Sequence, residues 1–187
     1  MPRIIILLFS FVLGLTTFCD GVKKVNVNTA SIEILFIKGS INTRIPIGCG
    51  AITKTKSSFR KGDTIIVDKQ KYLEIVNQIK ILKKLNPDSV NPNCDVRIQC
   101  KINYTKGDPV RLCIGEFNCL VKDGNIMEGN DTLVYLIRKY SGYYNYFSRS
   151  ELSYFHELKK YGVPIDYKDL SIKFNPNSMP TPPPPPR

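Results

Sequence analysis

Cysteine side chains are the most reactive groups in this sequence, and three of its six cysteines fall within twenty residues, in CKINYTKGDPVRLCIGEFNC at 100–119. A structural zinc site needs closely spaced ligand pairs, such as two cysteines separated by two residues. From Cys94 onward the cysteines are six, thirteen and six positions apart, and His156 is the only histidine. The spacing therefore argues against a metal site, and nothing in the chain predicts a cofactor.

A cysteine nucleophile would need a base, and His156 is the one imidazole that the chain offers. It lies in SYFHELKK, where the predicted buried side chains are Leu152, Phe155 and Leu158, so His156 is expected at the edge of that stripe. HELKK also lacks the second histidine of the zinc-protease motif, and no phosphate-binding glycine loop, G-x-S-x-G elbow or dinucleotide fingerprint occurs. An enzyme is therefore the less favoured class, and no catalytic residue is assigned.

The amino-terminal segment MPRIIILLFSFVLGLTTFCDG joins a weakly basic start to an apolar run over 4–15. This run is too short to span a bilayer comfortably, so residues 1–19 are predicted to be a cleaved signal peptide. Cys19 could instead carry a lipid anchor, but bulky Phe18 fits badly where lipoprotein signals carry a small residue. We therefore expect a secreted or periplasmic protein that has no transmembrane segment once the signal is removed.

Export favours disulfides, and strand register decides which cysteines can pair. Pairing Cys100 with Cys113 would scatter the apolar side chains of the two strands over both faces. Shifting the register by one residue places Cys100 opposite Ile114 and keeps the apolar residues on one face, which sends Cys113 to the other face.

The turn that follows Cys113 then suggests its partner. Residues 115–117 fold the chain back and are expected to bring Cys119 opposite Cys113, which predicts a Cys113–Cys119 bridge. Cys49 would pair with either Cys94 or Cys100, and the sequence does not separate these two alternatives.

The elements that must position these residues follow from apolar periodicity. Alternating patterns predict strands near 31–38, 43–52 and 64–67 and then a four-strand meander over 95–128, whose last hairpin turns at Asp123-Gly124. Helical spacing predicts helices near 69–85, 131–141 and 151–161, preceded by the capping residues Asp68, Asn130 and Ser150. This order indicates an α+β fold with a mostly antiparallel sheet and helices on one face.

The domain organisation is simple. Residues 22–174 are expected to form a single globular domain. The tail after it, 175–187, is rich in proline and is predicted to be an extended, disordered segment.

Two features suggest binding. The chain has 27 lysines and arginines against 16 acids, a net charge of +11, and its densest basic stretch contains Lys54, Lys56, Arg60 and Lys61. Such a surface attracts acidic proteins or anionic envelope components, although a solvated basic rim is the default explanation. Nucleic acid is not expected, because Phe59 is the only aromatic residue within that loop.

The stretch YYNYF supplies the second feature, with Tyr143, Tyr144, Tyr146 and Phe147. Tyrosines are favoured at interfaces, but aromatic residues next to a helix end also commonly pack inward. We therefore predict an exported, disulfide-stabilised binding protein, similar in role to an inhibitor or immunity protein, with a protein partner or an anionic surface as its target. A small secreted hydrolase and an envelope-associated structural protein are the alternatives.

Overall fold

The computed structural model describes residues 30–40, 45–54, 61–86 and 94–171. The predicted signal peptide with Cys19 and the proline-rich tail lie outside these residues, so the predicted domain boundaries stay predictions.

An antiparallel sheet is the centre of the fold. Its six strands are β1 (Ser31–Ile37), β2 (Lys61–Ile66), β3 (Val96–Asn103), β4 (Val110–Gly115), β5 (Leu120–Lys122) and β6 (Asn125–Met127). They lie in the order β2-β1-β3-β4-β5-β6, and every neighbouring pair is antiparallel. With the helices described below, this confirms the predicted α+β fold and the four-strand meander of its second half.

The β5–β6 hairpin turns at Asp123-Gly124, as predicted. Both residues have positive φ, 46° and 82°, which is the backbone that a two-residue hairpin of right-handed twist requires. The Asp123 carboxylate also accepts a hydrogen bond from the backbone N–H of Arg111 at 2.8 Å, which ties this turn to β4.

The register of β3 and β4 differs from the prediction by two residues. Cys100 pairs with Leu112 and not with Ile114. A shift of two leaves each side chain on its predicted face, because side chains alternate with a period of two. Cys100 accordingly lies in the core on the helix side of the sheet, and Cys113 lies in a smaller cluster on the other face.

The predicted strand at 43–52 is wrong in its described part, 45–52. Residues 45–50 are irregular, a 3₁₀ turn follows at Ile52–Lys54, and the antiparallel neighbour of β1 at this edge is β2. Pro46 has no N–H to offer a strand. The segment instead lies against the start of β3, where Ile47 N–H donates to the Asp95 carboxylate at 2.8 Å and Val96 N–H donates to the Ile47 carbonyl at 2.8 Å.

Two helices are close to their predicted positions. Helix α1 spans Lys69–Lys80 and is capped by the Asp68 carboxylate, which accepts from Lys71 N–H at 2.9 Å. It ends before the predicted limit of 85 because residues 83–85 turn into the edge of β6, where Leu85 N–H donates to the Ile126 carbonyl at 3.0 Å. Helix α2 spans Asp131–Ser141, matching the predicted bounds, between the caps Asn130 and Gly142.

The predicted helix at 151–161 is wrong. The chain forms a 3₁₀ turn at Glu151–Tyr154 and a single helical turn, α3, at Leu158–Tyr161, with extended backbone at Phe155. Phe155 packs against the core and Glu157 is fully buried. Two residues that are two positions apart point to nearly opposite sides of a helix, so packing Phe155 on the core while burying Glu157 requires the break.

The predicted Cys113–Cys119 bridge is also wrong. The disulfides of the described residues are Cys49–Cys113 and Cys94–Cys119, and Cys100 is a buried free thiol. Cys113 is paired in register with Val121, two residues beyond Cys119. Its sulfur faces the side of the sheet that residues 45–54 cross, and there it meets Cys49.

Peptide mapping of unreduced, alkylated protein should recover the two linkages Cys49–Cys113 and Cys94–Cys119. Cys100 should react with the alkylating reagent only after unfolding, because it is 0% exposed. The chain-entropy model gives each bridge about 3.5–4 kcal/mol of stabilisation, so reduction should lower the midpoint of urea denaturation strongly. A Cys113–Cys119 peptide would contradict this arrangement.

Candidate functional site

Two charged side chains, Arg138 and Glu157, are both 0% exposed and lie at the centre of a buried polar network. Arg138 Nη1 lies 2.6 Å from Glu157 Oε1. The Tyr144 hydroxyl donates to the same oxygen at 2.8 Å, and Asn118 Nδ2 donates to Oε2 at 3.1 Å. Burial raises the pKa of Tyr144, so its hydroxyl remains a donor, with Glu157 adding to that shift.

The arginine side of the network binds the β4–β5 turn. Arg138 Nη2 donates to the carbonyls of Gly115 and Glu116 at 3.2 and 3.4 Å, and Nη1 donates to Asn118 Oδ1 at 3.0 Å. The network therefore joins α2, this turn and the break before α3. The two charges face each other, and both Nη atoms of Arg138 and both carboxylate oxygens of Glu157 are hydrogen-bonded, whereas Arg138 Nε has no partner among the described residues. This is the arrangement of a structural ion pair.

The ionisation of Glu157 follows from these contacts. Burial by itself would raise its pKa, but the charge of Arg138 and the hydrogen bonds from Arg138 and Tyr144 outweigh burial and hold the pKa below its ordinary value. Glu157 is therefore a carboxylate at neutral pH and a poor candidate for a general acid.

The Cys–His pair considered from the sequence is not brought together. Cys100 lies in the helix-side core, where burial raises the pKa of its thiol. His156 is 70% exposed at its side chain, and its Nδ1 lies 3.2 Å from the Asp131 carboxylate. A fully buried thiol and an exposed imidazole cannot form a nucleophile–base pair.

The predicted tyrosine binding stretch is corrected by burial. Tyr143, Tyr144 and Phe147 are 3%, 1% and 5% exposed, so they do not form an open surface. Tyr146 is half-buried and has the Lys38 ammonium 4.9 Å from its ring centre. These residues belong instead to an aromatic cluster with Phe36 and Phe155.

Three members of that cluster also line a pocket. We call this the aromatic pocket: its volume is about 300 Å³, Tyr143, Phe147 and Phe155 form its apolar wall, and Phe117 and Tyr154 stand at its mouth. Phe117 is 91% and Tyr154 85% exposed. A pocket of this size, with rigid apolar walls and exposed aromatic side chains at its mouth, has the features of a binding site.

Three charged residues line the aromatic pocket: Arg97, Glu116 and Glu151. Arg97 is held by Asp95 at 2.5 Å and by Glu116 at 3.3 Å. Glu151 forms no ion pair with a described residue. It accepts hydrogen bonds from Ser148 and Ser40, and these outweigh burial and hold its pKa below the ordinary value.

The predicted basic loop lies mostly outside the described residues, which include neither Lys56 nor Arg60. Lys54 ends the 3₁₀ turn, which contacts β1 and β3, and Lys61 begins the edge strand β2. Its role in binding stays a prediction.

Sequence reasoning missed Phe117, Tyr154, Arg97 and Glu151 as pocket residues. One signal was present in the sequence: Phe117 follows Gly115-Glu116 in a tight turn, and a large aromatic residue at a turn has few ways to reach the core. Nothing local indicated Tyr154 or Glu151, because the predicted helix at 151–161 gave them other surroundings.

Comparisons with protein-family models, curated proteins and solved structures find no match to this chain. Among the described residues, no helix is long and apolar enough to cross a membrane. Within the same residues, no group of three or more histidine, cysteine or acidic side chains is placed to hold a metal ion. The function must therefore be argued from the geometry of this molecule.

Replacing Glu157 with glutamine should reduce the free energy of unfolding by about 3–5 kcal/mol, because Arg138 is left as a buried charge without its counter-charge. Urea denaturation at neutral pH measures the loss. Glu128→Gln is the matched control, since Glu128 is exposed and forms no ion pair with a described residue.

The same pair has a pH signature. The folded-state pKa of Glu157 lies below the ordinary value of 4.5, so its stabilising contribution is present above pH 4.5 and is lost as the pH falls through the lower, folded-state pKa. Glu157→Gln should therefore weaken the acid dependence of stability. An acid dependence equal to that of the unaltered protein would contradict the role of this pair.

Proposed function

We propose that this chain is an exported, disulfide-stabilised binding protein without catalytic activity, and that it recognises a protein partner by taking one basic side chain into the aromatic pocket. The observation that carries the proposal is the exposure of Phe117 and Tyr154 at the mouth of a preformed pocket. Exposed aromatic anchors around a rigid pocket are typical of the residues that dominate binding energy at protein interfaces.

Export is supported from two directions. Disulfides persist in oxidising compartments, and this fold carries two of them among its described residues. The sequence of residues 1–19 independently predicts a signal peptide.

The charge of the pocket favours a basic occupant. Arg97 is already paired with Asp95 and Glu116, while the Glu151 carboxylate is bonded only to neutral donors among the described residues. Aromatic faces attract cations as well, and arginine stacks on them more readily than lysine. An arginine side chain of the partner would place its planar guanidinium against the rings and donate hydrogen bonds to Glu151.

The positive net charge of the chain acts at longer range. A surface of this sign favours approach by an acidic partner, whereas the pocket selects one basic side chain at the contact. The overall charge then governs the association rate, and the aromatic pocket governs the position of the partner.

Amide NMR spectra should shift at Phe117, Tyr154 and Phe155 when N-acetyl-arginine amide is titrated into the protein. N-acetyl-citrulline amide, which keeps the shape and lacks the charge, should bind at least about tenfold more weakly, since a desolvated charge-assisted contact is worth about 1.5–3 kcal/mol. Phe117→Ala and Glu151→Gln should both weaken the binding of N-acetyl-arginine amide.

Ile165→Ala is the matched control for the aromatic truncation, because Ile165 is fully exposed and does not line the pocket. Phe117→Ala should leave the denaturation midpoint almost unchanged, because its ring is exposed. Equal binding of the two derivatives, or shifts that avoid the pocket, would overturn the proposed recognition of a basic side chain.

A further inference from the structure

A second cavity lies on the face of the sheet opposite helices α1 and α2. Residues 45–54 cover one part of this face, with Thr53 at the boundary, and the remaining part is a groove of about 330 Å³. We call it the sheet groove. The side chains that line it and matter here are Glu33, Leu35, Asp63, Gln99, Lys101 and Arg111.

Gln99 is the distinctive residue of the sheet groove. Its side chain is 7% exposed, and its Oε1 has no hydrogen-bond partner among the described residues. An unpaired buried carbonyl oxygen costs free energy, and native structures contain few of them. The terminal torsion of glutamine has two nearly equivalent orientations that differ by half a turn, so either the oxygen or the NH₂ group can be turned toward the groove.

The charges of the sheet groove are divided between its two sides. On one side Lys101 and Arg111 are directly opposite each other in the β3–β4 register, and two like charges in this position repel. Lys101 forms an ion pair with Glu33, with 3.7 Å between Nζ and Oε1, whereas Arg111 forms no ion pair with a described residue. The other side carries Asp63 on the edge strand β2, which likewise has no described ion-pair partner.

We propose that the sheet groove binds a short peptide through its free carboxyl end. The carboxylate lies between Lys101 and Arg111, where it removes the repulsion of the two cations, and the guanidinium can hold it in bidentate fashion. A backbone amide of the peptide pairs with the Gln99 carboxamide, which offers one acceptor and two donors to the one acceptor and one donor of a peptide group. The amino end points toward Asp63.

The size of the groove sets the length of the peptide. Strands lie roughly 4.8 Å apart, so β2 and β4, which are three strand spacings apart, are separated by about 14 Å before their side chains converge. An extended peptide of about three residues, at roughly 3.4 Å each, spans the distance that remains. A free amino acid cannot reach both charged sides, and an inorganic anion would leave Gln99 unpaired.

Binding of tri-alanine to the complete protein, followed by calorimetry and amide NMR, tests the proposal. Tri-alanine should bind, and tri-alanine amide should bind at least about tenfold more weakly. N-acetyl-tri-alanine, which keeps the free carboxylate, should lose less affinity than the amide does. Arg111→Gln should weaken the binding of tri-alanine by a similar factor. Arg149→Gln, the same change at an exposed position outside the groove, should leave the affinity unchanged.

Gln99→Leu separates a binding role from a structural one. Because Oε1 has no partner to lose, this substitution should keep or raise the denaturation midpoint while it weakens tri-alanine binding. Equal affinity for the acid and the amide, equal affinity of acetate and tri-alanine, or unaltered binding by Arg111→Gln or Gln99→Leu would each overturn the proposal. None of the groove residues lines the aromatic pocket, so these outcomes are independent of binding to N-acetyl-arginine amide.

Discussion

The buried ion pair of Arg138 and Glu157 is the constraint on which the carboxy-terminal half of this fold depends. Removing two charges from water costs several kcal/mol per ion, and the cost is recovered only when the pair is close and its remaining polar atoms are hydrogen-bonded. Here the close pair and the hydrogen bonds to its Nη and carboxylate oxygen atoms bring together α2, the β4–β5 turn and the segment before α3, while Arg138 Nε has no partner among the described residues. The ion pair also explains the break at Phe155, since a continuous helix could not pack Phe155 on the core and bury Glu157 as well.

The same ion pair shapes the aromatic pocket from below. The Arg138 guanidinium lies 4.9 Å from the Phe155 ring centre and 5.5 Å from the Tyr143 ring centre. Both rings also line the aromatic pocket. The adjoining β4–β5 turn is fixed by the Cys94–Cys119 disulfide, and a Cβ at Gly115 would lie 2.8 Å from the Cys94 sulfur. Phe117 is thus an exposed side chain on a turn held from both ends, which limits the entropy that it would lose on binding.

Local signals in the sequence predicted the fold where local physics decides it. The caps Asp68 and Asn130, the Asp123-Gly124 turn and the faces of the first two meander strands all depend on neighbouring residues. The errors have a different origin. The disulfide pairing and the absent strand at 43–52 both depend on which distant segment crosses the open face of the sheet, and no local pattern encodes that crossing.

The candidate sites were harder to predict than the fold for a related reason. A dense run such as YYNYF is the pattern of a core, because closely spaced large side chains bury one another, and in this protein the run supplies only the floor of a pocket. The residues at the mouth are isolated aromatics, at a turn and on a 3₁₀ turn, whose exposure depends on contacts far along the chain. The net charge of the chain does not predict the charge of its pocket. The chain carries +11, yet the aromatic pocket holds the Glu151 carboxylate without a described counter-charge. The proposed recognition therefore rests on a few side chains that the three-dimensional packing leaves exposed or without a described counter-charge.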